Sequence, residues 1–171
     1  PDTVEEIKKY AFYNCTELKE VEIKGEVRYL REYAFYNDSK LERVNLENVE
    51  AIGARAFYGC TSLKEVNLDK CYSIGVSAFE GCTGLSSVDL TALRNAGSYM
   101  FRNCVNIKSV VLSADTKLSY GAFIKSGLTS VDLYANLVPE MCFAQCDYLE
   151  RVTIHNDMMY IAAAAFTKNP N

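Results

Sequence analysis

The side chains best able to carry out chemistry in this 171-residue chain are one histidine, seven cysteines and a scatter of carboxylates. Nucleophilic catalysis requires a base within hydrogen-bond reach of a serine, threonine or cysteine. His155 is the only histidine, and the cysteine nearest to it in sequence, Cys146, belongs to an apolar repeat described below. The chain has no glycine-rich phosphate loop of either standard spacing. We therefore expect no catalytic residue and no enzymatic activity; a hydrolase built on His155 or on a pair of carboxylates is the less favoured alternative.

The cysteines are distributed as buried apolar residues are. A buried cysteine behaves as a small hydrophobic side chain, and five of the seven recur three residues after a phenylalanine, at Cys15, Cys60, Cys82, Cys104 and Cys146. The total is odd and no CxxC occurs, which disfavours both a complete disulfide framework and a zinc site. We expect reduced cysteines in the core, no bound metal and no cofactor. Disulfides between neighbouring repeats are the alternative, because stacked repeats lie ~5 Å apart.

The eight phenylalanines reveal an internal repeat. They stand at positions 12, 35, 57, 79, 101, 123, 143 and 166, with successive spacings of 23, 22, 22, 22, 22, 20 and 23 residues. A fixed period in this range indicates a solenoid, in which each coil buries its apolar face against its neighbours. We therefore predict one domain, residues 1–171, of about seven and a half repeats, with the phenylalanine rings stacked in a continuous interior ladder.

Each repeat predicts a short strand and a tight turn. The phrase LKEVNL (residues 63–68) alternates, so that Val66 and Leu68 point inward and the residues between them point outward. The segment around each phenylalanine has apolar residues at offsets of one and three, which favours a single helical turn. Asn14 and Gly59 lie two residues after a phenylalanine, where a left-handed conformation would end such a turn. A return stretch with an apolar residue five positions before the phenylalanine then closes the coil.

The segment VEAIGARAFYGCTSLKEVNL (residues 49–68) carries the pattern VxxIGxxAFxxCxxLxxVxL, which recurs over essentially the whole chain. In this pattern the chain resembles the BspA-like class of leucine-rich repeats. The resemblance implies an α/β fold: a right-handed leucine-rich-repeat solenoid with a parallel sheet on its concave side and short helical turns on its convex side. It also implies a non-enzymatic module for protein interaction or adhesion in a cell-surface or secreted protein of a host-associated microbe. The late repeats depart from the pattern, and we expect an irregularity at residues 124–142.

Composition limits the partners. The net charge of −4 comes from 18 basic and 22 acidic residues without long basic runs, which disfavours a nucleic-acid partner. No stretch approaches the ~18 apolar residues of a membrane span. We expect a protein or glycan ligand, such as host extracellular matrix, bound outside the cell; an intracellular scaffold or a secreted effector is the alternative. Both ends break off within a repeat, so we expect the chain to be a piece of a longer protein.

Two surfaces could bind such a ligand. The outward side chains of the strands would stack in rows about 4.8 Å apart, and an extended sheet surface is the one that solenoids commonly use. Ordinary polar strand exteriors are the alternative reading of these rows. The tyrosines beside the phenylalanines, such as Tyr13 and Tyr36, form a second surface, but we expect them to pack sideways on neighbouring coils. We predict these partner-binding residues: Glu20, Glu22, Arg43, Asn45, Glu65, Asn67, Asp89 and Asp132.

Overall fold

The computed structural model describes residues 4–155 and 160–170, and there the chain winds into stacked coils with two sides of short parallel strands. The strand side, formed by the alternating phrases, comprises β2 (Glu20–Val21), β4 (Arg43–Val44), β7 (Val88–Leu90), β9 (Ser109–Leu112), β10 (Ser130–Leu133) and β12 (Arg151–Ile154). The return side comprises β1 (Glu6–Ile7), β3 (Tyr29–Leu30), β5 (Ala51–Ile52), β6 (Ser73–Ile74), β8 (Asn95–Ala96), β11 (Leu137–Val138) and β13 (Tyr160–Ile161). The fold is a parallel-strand solenoid of the leucine-rich-repeat type.

Strands at the same position of neighbouring coils pair in parallel, in four separate sheets. On the return side the order is β1-β3-β5-β6-β8, with β11 and β13 forming a separate pair. On the strand side β2 pairs with β4, and β12-β10-β9-β7 form a four-stranded sheet. Residues 64–69, which carry the same phrase in the third coil, lie between β4 and β7 without strand pairing.

The phenylalanine ladder forms as predicted. Neighbouring rings along the series lie 4.9 to 5.8 Å apart between centroids, with planes within 10° of parallel. The six interior rings are completely buried, whereas Phe12 and Phe166 at the two ends are partly buried. The inward residues of the strand phrases complete this core, because Leu68, Val88 and Leu90 are buried beside the rings.

The short helical turns expected on the far side are wrong, because the described residues contain no helix. The residue two positions before each phenylalanine and the residue two positions after it both have positive φ, as at Tyr10 (61°) and Asn14 (58°). Along this segment every second backbone N–H donates to the carbonyl three residues earlier in the same coil. The N–H groups between these donate to carbonyls of the next coil. Phe12 N–H, for example, donates to Ala34 C=O at 2.8 Å, and Ala11 N–H to Lys8 C=O. A left-handed residue every fourth position prevents the run of i−4 bonds that a helix needs.

The return stretches form a second set of parallel strands, which the sequence pattern did not predict. Their close approach explains the glycine that directly follows the return strand in three successive coils. A Cβ on Gly53 or Gly75 would lie 2.6 Å from a backbone nitrogen of the preceding coil, and on Gly97 2.4 Å from a backbone carbon. Only glycine lets the coils come this close without displacing the strands.

The irregularity expected at residues 124–142 appears as a break in the return-side pairing. In the regular coils the residue four positions before the phenylalanine donates its N–H to the preceding coil, as Gly75 does to Ile52 C=O at 2.8 Å. In the seventh coil this position is Pro139, which has no N–H to donate. The pairing stops after the bridge between Asn95 and Lys117, and a depression of about 650 Å³ lies at the gap.

All seven cysteines are free thiols, and six of them are buried. Cys15 is exposed, contrary to the expectation that its repeat position is buried, because no described coil covers the first one. The Sγ atoms of Cys60, Cys82 and Cys104 each donate to the carbonyl oxygen of the phenylalanine one coil back, at 3.0 Å. Burial raises the pKa of these three thiols well above its ordinary value, so they remain protonated.

Candidate interaction surface

The outward side chains of the strand side stand in two rows fixed by the strand register. Glu20 lies opposite Arg43, and Ser130 lies opposite both Ser109 and Arg151 in the flanking row. In the central row Val111 lies opposite Asp89 on one side and Asp132 on the other, and Asp132 lies opposite Thr153. We call these two rows the strand-side surface, and all eight residues predicted to bind a partner belong to it.

In the first two coils the charges of this surface are partly paired. A guanidinium nitrogen of Arg43 lies 3.6 Å from a carboxylate oxygen of Glu20, and both side chains are more than half exposed. Glu22 is equally exposed and lies 3.7 Å from Lys24. Pairs of this kind contribute at most about 1 kcal/mol in water, so a partner can rearrange them at little cost.

The side chain of Asn45 makes two hydrogen bonds to the backbone of the preceding coil. Its side-chain oxygen accepts the N–H of Ile23 at 2.6 Å, and its amide nitrogen donates to the carbonyl of the same residue at 3.0 Å. The side chain thus takes the place of a paired strand, which explains why β2 ends at Val21. Asn45 is half-buried and also lines the central depression of the surface, so its part in binding a partner stays a prediction.

The middle of the surface is a shallow depression of about 450 Å³. Glu65 and Ser87 line it as exposed side chains, together with Asp69. Asn67 and Asp89 also line it, but each accepts an N–H from its own turn, from Asp69 and Thr91 respectively, at 2.9 Å. These turns hold the two side chains at fixed positions and leave their remaining lone pairs toward solvent. The depression therefore presents acceptors, with three carboxylates against the one guanidinium of Arg43.

The late coils add an aromatic pair that sequence reasoning missed. The rings of Tyr134 and His155 stack 4.1 Å apart with nearly parallel planes. Nε2 of His155 also lies 3.4 Å from Oδ1 of Asp132. The pKa of the Asp132 carboxyl is held below its ordinary value mainly by a hydrogen bond from Thr153 and, to a smaller extent, by one from His155. The sequence could have predicted this pair. Tyr134 and His155 each lie two residues after an outward residue, Asp132 and Thr153, and so face the same side of the sheet.

The described residues assemble neither a nucleophile–base pair at His155 nor a metal centre. Cys146 is buried, and its thiol donates to Phe123 C=O at 3.3 Å rather than facing the imidazole. Within 4–155 and 160–170 no group of three or more histidine, cysteine, aspartate or glutamate side chains could hold a metal ion. The same ranges contain no helix with the length and apolar character that crossing a bilayer requires.

The tyrosines on the turn side pack sideways, as expected. Tyr13, Tyr36 and Tyr58 form a stacked series with centroid distances of 5.1 and 5.0 Å. Their ring faces cover one another, so the series presents mainly ring edges and hydroxyl groups to solvent. This arrangement extends the core outward and leaves the strand-side surface as the better-formed candidate for binding.

Comparison with known proteins agrees with this architecture. The family model of the BspA type leucine rich repeat region (6 copies) matches residues 1–108 and 68–171. No curated protein sequence matches the chain.

Similar solved structures include the following three. A leucine-rich repeat protein from Bacteroides ovatus is 33% identical with a TM-score of 0.85, over 92% of this chain and 43% of its own. A leucine rich cell surface protein from Faecalibacterium prausnitzii is 26% identical with a TM-score of 0.79, over 88% of this chain and 43% of its own. The T. pallidum leucine rich repeat protein is 30% identical with a TM-score of 0.73, over 78% of this chain and 68% of its own.

The chain spans less than half the length of the first two of these structures. Its repeats, its stacked coils and its match to the family model over the whole sequence lead to one conclusion: the chain belongs to the BspA-type leucine-rich repeat family.

Proposed function

We propose that this chain is a non-enzymatic binding module that docks a protein partner on the strand-side surface. The observation that carries the proposal is the register of that surface, which holds outward polar side chains at fixed intervals over many coils. Side chains on paired strands lose little freedom when a ligand binds, so a weak contact at each coil can add up along the surface.

The charges favour a basic, extended segment of the partner. Glu65, Asp69 and Asp89 line the central depression, and Arg43, the cation in its lining, is already beside Glu20. Further along, the ionised Asp132 beside the Tyr134 ring offers a carboxylate and an aromatic edge to the same segment. Complementary charge of this kind sets orientation and association rate, so we expect a Kd that is micromolar or weaker for this chain alone.

Adhesion outside the cell is the setting that the relatives favour. The similar Faecalibacterium prausnitzii protein is described as a cell surface protein, and host extracellular matrix is the partner class we propose. A glycan ligand, an intracellular scaffold and a secreted effector are the competing readings, and the binding experiment below separates protein from glycan ligands.

The test compares two double variants for binding to a panel of purified matrix proteins and to a glycan array. Glu65→Arg with Ser87→Arg places two cations in the depression, and both parent side chains are exposed without a structural role. Glu32→Arg with Ser98→Arg makes the same two exchanges on the turn side, where Glu32 is exposed and Ser98 is half-buried, and serves as the charge-matched control. We expect the first variant to weaken binding of a matrix protein at least tenfold and the control to leave it within twofold.

Three results would contradict the proposal. Equal weakening by both variants would show that net charge alone governs binding. Binding that only the turn-side variant weakens would move the site to the opposite face of the solenoid. Binding confined to the glycan array would reject the protein partner while keeping the surface.

A further inference from the structure

One repeat position hydrogen-bonds most coils to the coil before them. In five of the eight coils the residue three places after the phenylalanine directs a hydrogen toward the carbonyl oxygen of the preceding phenylalanine, whereas in the sixth coil Ser126 hydrogen-bonds the thiol of Cys146. Four cysteines do so through Sγ, at 3.0 to 3.3 Å, and Asn169 does so through Nδ2, at 3.1 Å. The side chain at this position therefore acts as a donor that satisfies a buried carbonyl group.

Asp38 occupies the same position in the second coil, where an ionised side chain has no hydrogen to give. Its side chain is completely buried. Oδ1 accepts the N–H of Cys15 at 2.7 Å, whereas Oδ2 has no hydrogen-bond partner among the described residues. A buried carboxylate oxygen without a donor is strongly disfavoured in a folded protein.

Asn169 shows what the unpartnered oxygen faces. Its Oδ1 accepts the N–H of Cys146 at 2.9 Å, which is the bond that Asp38 makes to Cys15. Its second side-chain atom, Nδ2, then reaches the carbonyl oxygen of Phe143. By the repeat, the equivalent carbonyl for Asp38 belongs to Phe12. A proton on Oδ2 would make the carboxyl group equivalent to the asparagine amide at both ends.

We propose that Asp38 is a proton-dependent contact between the first two coils, in which the protonated carboxyl donates from Oδ2 to the carbonyl oxygen of Phe12 and the ionised form loses this bond. Raising the pH would then weaken the junction, and lowering it would tighten the junction. This behaviour is opposite to that of an ordinary surface aspartate in an ion pair, whose contribution is lost on acidification.

The surroundings of Asp38 supply no charge that would reverse this. The titratable groups that adjoin Asp38 in the neighbouring coils are the thiols of Cys15 and Cys60, and the ion pair of Lys40 with Glu17 lies exposed at the surface. Burial raises the pKa of Asp38 from 3.8 to about 6, and the Cys15 N–H opposes the rise only in part.

The sign of the pH effect follows from the direction of that shift. The folded state holds the proton more tightly than the unfolded chain, so the contact is fully present below about pH 4. Its contribution declines as the pH rises through about 6 and is absent at higher pH. A shift of roughly two pH units corresponds to about a hundredfold change in the unfolding equilibrium constant.

The experiment measures urea unfolding of the 171-residue protein at pH 4.5, 6 and 8 for the parent, Asp38→Asn and Asp69→Asn. Asp38→Asn carries a permanent donor, so its unfolding equilibrium constant should lie close to that of the parent at pH 4.5 and fall below it by a further tenfold or more at pH 8. Asp69 is exposed, and Asp69→Asn should follow the parent at every pH. A ¹³C titration of the Asp38 carboxyl should show its midpoint near pH 6.

Either of two results overturns the proposal. One is an Asp38 carboxyl that titrates below pH 4.5. The other is a difference between the parent and Asp38→Asn that is the same at pH 4.5 and pH 8. Asp38→Ala, which also removes the acceptor for Cys15, should be less stable than Asp38→Asn by an amount that does not vary with pH, because neither variant carries the titrating carboxyl.

Discussion

At the scale of single residues, identical side chains in this protein have different roles because their neighbours differ. Asn45 bonds both backbone groups of Ile23 in the preceding coil, whereas Asn67, one coil later, accepts the N–H of its own turn at Asp69. Either bond satisfies a backbone group that would otherwise be unpaired. A repeat position therefore fixes where a side chain lies, and the local backbone decides which partner it takes.

The position of a ring in the phenylalanine ladder should set its contribution to stability. Phe79→Ala removes a fully buried ring stacked at 5.1 Å on both sides and should lower the free energy of unfolding by about 3 to 5 kcal/mol. Phe12→Ala removes a partly buried ring with one stacked neighbour, so the loss should be smaller. Urea denaturation of the two variants checks this, and equal losses would argue against a continuous ladder.

Thiol reactivity should separate one cysteine from the other six. The thiolate is the reactive form, and burial both blocks access to the buried thiols and raises their pKa, to about 12 for Cys71. At pH 8 a disulfide reagent should therefore label Cys15 rapidly and the rest only as the protein unfolds. Cys15→Ser should abolish the fast phase. Rapid labelling of two or more thiols in the folded protein would contradict the buried arrangement.

At the scale of the elements, glycine serves two separate purposes in the third and fourth coils. Gly75 has no room for a side chain, because a Cβ would lie 2.6 Å from the Ala54 nitrogen across the β5–β6 pair. Gly81 has room, since the nearest atom to its Cβ would be 3.8 Å away, but its φ is +76°. Lack of space and backbone conformation thus impose glycine at different places for different reasons.

The two glycines should differ in the cost of alanine. Gly81→Ala should lower stability by about 1 kcal/mol, the usual penalty for a left-handed alanine. Gly75→Ala should lower it further, by about 1 to 3 kcal/mol in overpacking together with weakened β5–β6 pairing. Thermal melts of both variants provide the comparison, and an order reversed from this one would mean that the coils are not held at the observed spacing.

The sequence predicts some of these elements better than others, for physical reasons. Strand phrases such as residues 130–133 are long enough for alternation to show, but a two-residue strand such as β5 shows no period at all. Apolar offsets of one and three fit consecutive turns as well as a helix. What rules out a helix is the positive φ two residues before the phenylalanine. It falls on Tyr33, Arg55 and Met141, whose residue types do not indicate a left-handed conformation. For the candidate site, the rows could be predicted from register, whereas the bonds of Asn45 could not.

At the scale of the whole molecule, each coil depends on its immediate neighbours. Val131 and Leu133 are almost completely buried because coils pack on both sides of them. Their register partners in the last strand, Val152 and Ile154, are 38% and 52% exposed. The stability of such an array is close to a sum of coil and interface contributions, so it is expected to be lowest at the two ends.

Amide hydrogen exchange should follow this gradient. Backbone amides of the interior coils, including Phe57 and Phe79, should exchange slowly, whereas amides in β12 and β13 should exchange faster by tenfold or more. Mass spectrometry of peptides from each coil resolves the difference. Uniform protection along the chain would instead indicate that the array opens only as a whole.

The hydrogen bonds of the turn side have a mechanical consequence. The N–H of each ladder phenylalanine from Phe12 to Phe143 donates to a carbonyl one coil along, so these bonds run in the direction in which the coils are stacked. Tension applied to the two ends acts on such bonds one coil at a time rather than on all of them together. Each released coil of about 22 residues would add roughly 70 to 80 Å of contour length. Under load the chain would lengthen in equal steps, as an extensible tether that dissipates work while its remaining coils stay folded.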